Sequence, residues 1–147
     1  MIRDFFIDKF EFDLACNKAW IRVLIEHEDS INNFIITSFS HLINVHHRWI
    51  CRMEGIPVES GLHDKFQPEF WLRLCSDNFQ RTLLYLEHTD FQGTINYFSD
   101  DGEPLQKEEI DILYHILNHS NYHRAQIASE LRRLDITPPS LNFISYR

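Results

Sequence analysis

The chain has 147 residues, 44% of them hydrophobic, with a formal charge of −8 and a pI of about 5.5. Such a length can bury one substantial core, and the acidic balance leaves no excess of Lys and Arg to neutralise phosphates. Neither a general nucleic-acid binder nor a protein docked on an anionic membrane is expected.

The opening stretch MIRDFFIDKFEFD carries acids every few residues and has no uninterrupted apolar run, unlike a signal peptide. Helical periodicity is read over residues 8–27, with Phe12, Ala15, Ala19, Val23 and Leu24 on a common side. A second helix is expected over 31–54, with Ser30 as N-cap and Gly55-Ile56-Pro57 as its stop. The third covers 68–88, with Pro68 suited to the first turn and Phe70, Leu74, Phe79, Leu83, Leu84 and Leu86 apolar. The stretch TINYFSDDGEPLQKE then alternates β-favouring residues before Asp101-Gly102, which suggests a small hairpin or extended excursion. Pro104 weakens its second strand. The last helix is expected over 107–134 and is closed by ITPPS, whose paired prolines cannot continue it.

No repeat, linker or low-complexity tract divides the chain, so residues 1–147 read as a single domain. Four long amphipathic helices with only 4 Gly and 5 Pro indicate an all-α four-helix bundle. The connection between the second and third helices is long enough for a crossover. No apolar run approaches the roughly 18 residues that cross a bilayer. Cys16, Cys51 and Cys75 are odd in number and lack CxxC spacing, as expected of reduced, mostly buried thiols in a cytoplasmic protein.

The chemistry concentrates in the histidines, of which there are nine. In LYHILNHSNYHRAQ, residues 113–126, His119 and His123 stand four apart. On a helix that spacing places two imidazoles on one face, where both can reach a single ion at about 2.0–2.1 Å. With Ile112 at zero and about 100° per residue, His123 falls at about 20° and His119 at about 340°, the shoulder of the apolar stripe. A pair supplies only two ligands, and a catalytic metal normally takes a third.

Candidates for the third lie in SFSHLINVHHRW, residues 38–49. His46 falls inside the apolar stripe of its helix, His41 on the shoulder and His47 mostly outside. Periodicity favours His46, but a central position equally suits a satisfied core histidine, so His41 and His46 both stay open. His115 reads as a polar neighbour, and His27, His63 and His88 as surface residues near helix ends or in loops. There is no Gly-rich phosphate loop, no HExxH, and no inward pair of glutamates of the di-iron type.

Two segments are similar to a known family, the DinB/YfiT-like four-helix bundles. YHILNHSNYHRAQIASELRRLDITPPSLNFISY resembles that family's last helix, with its N-H-x-x-x-H-R-[GA]-Q-I pattern and Pro-containing tail. SHLINVHHRWICRMEG resembles its second helix: a His, then Trp eight and Arg eleven residues later, then Gly. Ala125 stands where many members have Gly. The resemblance implies a divalent metal, Zn or Ni, one per chain, held by His41, His119 and His123. His46 and His115 would then be neighbours just outside the ligands. It also implies a homodimer and, by analogy with relatives, a metal-dependent transferase joining a small-molecule thiol to an electrophile, or a hydrolase. Other relatives resemble damage- or stress-inducible proteins, so a non-catalytic metal- or ligand-binding protein is the alternative.

Overall fold

A computed structural model describes residues 1–146. In chain order the elements are α1 (Ile2–Glu26), α2 (Asn33–Glu54), α3 (Pro68–His88), β1 (Thr94–Phe98), β2 (Pro104–Glu108), α4 (Glu109–Arg133) and a short α5 (Phe143–Tyr146). The four long helices form an all-α bundle, and the two strands form a small antiparallel excursion before α4.

α1 starts earlier than its apolar periodicity indicated and buries a different face. Its buried stripe runs Phe6, Phe10, Asp13, Asn17, Trp20 and Leu24, whereas Phe12, Ala15, Ala19 and Val23 are only half-buried. Asp13 and Asn17 sit inside that stripe, and a pattern that counts only apolar residues slides past them.

α2 is capped by Asn32 rather than Ser30: the Asn32 side chain accepts a hydrogen bond from the Ile35 N–H at 3.1 Å. It ends at Gly55 in the left-handed conformation (φ 70°), and the Ile56 N–H bonds back to the Cys51 carbonyl at 3.0 Å. α3 opens on Pro68, which has no N–H to leave unpaired.

Two core clusters fix the direction of each helix. At one end Phe6 and Phe10 of α1 meet Ile50 and Met53 of α2, Leu86 of α3, and Ile112, Leu113 and Ile116 of α4. At the other, Trp20 and Leu24 meet Ile35, Phe39, Trp71, Cys75, Ile127 and Leu131. α1 and α4 therefore run one way and α2 and α3 the other. In section the order is α1, α3, α2, α4, and the α4–α1 seam is the sparsest.

Because α2 and α3 are parallel, the chain must travel back along α2, about 33 Å for its 22 residues, through the crossover at 55–67. That crossover is laid against α2 by polar groups. Ser60 Oγ donates to Asn44 Oδ1 (2.7 Å), Asn44 Nδ2 donates to the Asp64 carbonyl (2.9 Å), and the Phe66 N–H donates to Ser40 Oγ (3.0 Å). Ser40 and Asn44 are buried, so these bonds satisfy groups that would otherwise be orphaned.

The hairpin pairs Thr94 with Glu108 through to Phe98 with Pro104, and Pro104 holds the first position of its strand, where a missing donor is tolerated. α4 then starts directly at Glu109, which is 4% exposed. Its carboxylate accepts from the Tyr85 hydroxyl at 3.2 Å and from the Thr89 hydroxyl. Those bonds tie the start of α4 to the end of α3. Among the described residues no helix is long and apolar enough to cross a membrane.

Candidate metal centre

His41 on α2 and His119 and His123 on α4 meet at the α2–α4 seam. One ring nitrogen from each lies within 4.8 Å of the others. The ring centroids are 5.1 Å (His41–His119), 4.8 Å (His41–His123) and 4.4 Å (His119–His123) apart. All three are half-buried, as shoulder positions on facing helices should be.

Nε2 of His119 and Nε2 of His123 are 3.1 Å apart. Two nitrogens at Zn- or Ni-like bond lengths on one ion lie about 3 Å from each other. Nδ1 of His119 is buried with no hydrogen-bond partner, and the His123 ring has the Gln126 side chain beside it. Nδ1 of His41 lies 3.4 Å from the Leu62 carbonyl of the crossover. Donation to that oxygen would fix the tautomer with a lone pair on Nε2.

The protonation states suit a cation. Burial, reinforced by the neighbouring His123, His41 and His115, pushes His119 down to about 3. Burial and then His41 lower His123, and burial lowers His115. Neutral imidazoles with free lone pairs are what a divalent ion requires. The donor set therefore fits a metal held by three nitrogens.

The remaining histidines divide cleanly. The ring of His115, one turn before His119, lies 5.7 Å from it and 5.6 Å from Trp49. His46 faces the other way. It is five positions on from His41, about 140° round the helix. Its Nε2 bonds Thr82 Oγ1 at 2.8 Å, Thr82 donates in turn to the Asn78 carbonyl, and its ring packs on Phe10 at 5.6 Å. Its neighbours are thus in α1 and α3, not at the triad. His47 faces α3, where its Nδ1 lies 3.1 Å from Arg81 Nη1.

The sequence offered no sign of His63. Read as a surface residue, it is exposed, yet its ring stacks on His41 at 5.8 Å and 12°. Only the path of the crossover brings it there. Asp13, Asn17 and Arg124 form a second unanticipated group. Arg124 Nη1 donates to Asp13 Oδ1 at 2.8 Å and to Asn17 Oδ1 at 2.7 Å, joining α4 to α1 behind the triad. A signal existed, in two polar residues at helical spacing among apolar ones and an Arg directly after His123.

An up-down-down-up helical bundle with three histidines gathered between its second and fourth helices defines a class of bundle proteins able to hold a metal ion at a helix seam. The family profile that matches the chain does so over residues 16–147: it is that of the DinB family, and the chain belongs to it. No curated protein matches.

Proposed function

We propose that this chain is a cytoplasmic metalloprotein in which His41, His119 and His123 hold one divalent ion, Zn or Ni by imidazole preference, and that it acts as a thiol S-transferase on small electrophiles. The observation that carries the reading is the convergence of one ring nitrogen from each of three histidines within 4.8 Å, the Nε2 atoms of His119 and His123 being 3.1 Å apart. When bound, such an ion keeps its full charge and lowers the pKa of a thiol placed beside it, giving a nucleophile near neutral pH. The protein's part is to fix three imidazoles in orientation and, by burial, to favour the neutral form of His119 and His123. His41 is steadied by the Leu62 carbonyl, and His115 and Trp49 wall the side facing the hairpin. His46 is assigned to the core. A homodimer and a single domain belong to the same proposal.

A second reading has its own support. The cluster contains histidines alone, with no carboxylate among its members to move a proton, which suits a protein that senses or sequesters its metal. Protein purified without a nickel column should carry about one divalent ion per chain by elemental analysis. His41→Ala should lower the affinity by at least ~10-fold, as loss of one of three ligands implies, while His46→Ala should leave metal content near one. The reverse ranking would remove the proposed ligand set. Conjugation of thiols to a panel of electrophiles, with His123→Ala as the blank, separates transferase from binder. Sedimentation velocity reads the dimer.

A further inference from the structure

Three histidines leave a tetrahedral ion one position short, and the crossover carries a fourth histidine to the same place. The Asp64 N–H bonds the Gly61 carbonyl at 3.2 Å, so residues 61–64 form a turn with Leu62 and His63 at its centre. That turn is pinned to α2. Asn44, three residues beyond His41 and wholly buried, donates to the Asp64 carbonyl at 2.9 Å and accepts from Ser60 Oγ at 2.7 Å. The Gly61 N–H donates to Asp64 Oδ2 at 2.7 Å, and the Leu62 carbonyl lies 3.4 Å from His41 Nδ1. The backbone on both sides of His63 is therefore held beside the triad member on α2, while the His63 side chain is exposed.

Little keeps that side chain where it lies. Among the described residues neither ring nitrogen of His63 has a hydrogen-bond partner, and its ring contact is with His41, at 5.8 Å and 12°. Two imidazoles on one tetrahedral ion, bound at about 2.0–2.1 Å, have ring centres about 5 Å apart. The triad pairs already stand at 4.4–5.1 Å. His63 falls just outside that spacing and lies nearly parallel to His41, so a turn about its own side-chain bonds is what brings a nitrogen inward. Exposed side chains make such turns in nanoseconds or less.

His115 is as near to one member, 5.7 Å from His119, but it lacks this freedom. Its helix fixes it about 12 Å along the axis from His123. Trp49 also packs against its ring at 5.6 Å. Three histidines in a row on one rigid helix cannot close on a single ion.

We infer, on the metal reading of the triad given above, that His63 is a fourth, exchangeable ligand. It swings from its stack on His41 to fill the position that His41, His119 and His123 leave open, and swings back when a small-molecule donor takes that position. Four nitrogens make a closed site, and withdrawal of His63 makes an open one. The crossover turn is thus the gate of the metal centre.

Zinc competition against a chromophoric chelator, with visible spectra of cobalt-loaded protein, tests the assignment on the full chain. His63→Gln should bind zinc roughly tenfold more weakly than the parent, while His115→Gln matches the parent. The melting temperature of metal-free His63→Gln should equal the parent's, because the side chain is exposed. Free imidazole should supply the missing ring, shifting the cobalt spectrum of His63→Gln toward that of the parent. The parent, with its position filled, should respond only at roughly tenfold higher imidazole. Equal zinc affinity in His63→Gln and parent, the same imidazole response in both, or a larger loss in His115→Gln overturns the inference. Zinc binding that is lost in His119→Ala keeps the triad reading standing in each of those cases. A parent that binds no zinc overturns both.

Discussion

His46 and His41 sit on the same helix and part company through their surroundings. His46 is 6% exposed, bonded to Thr82, and driven down to about 4 by burial, with Asp13 partly opposing. Its folded pKa lies below the unfolded value near 6.5, so protons favour the unfolded chain: the stability is whole above about pH 6.5 and is lost as pH falls toward 4. Unfolding free energies from urea titrations at pH 7 and pH 4.5 should therefore differ by less in His46→Leu than in the parent, with the change in that difference at most about 3 kcal/mol. An equal acid sensitivity in both proteins would mean that His46 is not the buried neutral group described. Helical periodicity finds the most buried histidine on α2, and that is His46. It cannot find the triad member, because a seam between two helices lies on the shoulder of each stripe, where His41 stands. The i,i+4 pair on α4 was legible from spacing alone, and the third histidine only from the wider pattern with Trp49 and Arg52.

At the level of elements, α2, α3 and α4 are legible to within a few residues because their signals are local: Gly55 past the end of α2, Pro68 at the start of α3, and the alternation before Asp101-Gly102. Gly55 closes α2 in a backbone conformation that residues with a Cβ adopt only with strain. A methyl group there would touch nothing within 4 Å, yet φ is +70°, so Gly55→Ala isolates the conformational cost. That cost should be about 1 kcal/mol, read as a melting temperature lower by about 2–4 °C. A variant as stable as the parent would show that α2 does not depend on this cap. α1 was less legible. Its buried face includes Asp13 and Asn17, and their partner, Arg124, comes from a helix more than a hundred residues away. No window on a single helix contains that information.

Over the whole molecule, the ion pair of Asp13 with Arg124 bridges α1 and α4, the neighbouring helices that touch least. The side chains are 4% and 7% exposed, so removing one partner strands a buried charge. Asp13→Ala should cost about 3–5 kcal/mol by denaturant unfolding, and pairing Asp13→Leu with Arg124→Met should recover much of it. If the single variant were harmless, the seam would not rely on the pair. The number of helices and the presence of a crossover could be read from connection lengths, but the order round the bundle could not. It follows from which residues share each core cluster, a property of distant segments.

That order assigns different duties to the two long connections. The crossover can return only along the outside of α2. It passes His41 on the way, placing the Leu62 carbonyl and the His63 ring against it. Inserting or deleting residues there would disturb the triad itself. The hairpin touches α2 further along, with Tyr97 against Trp49 and Asp100 paired with Arg48. Its length and tip can therefore vary without moving a histidine. A lineage that keeps the crossover could redraw the hairpin and leave the three histidines where they are.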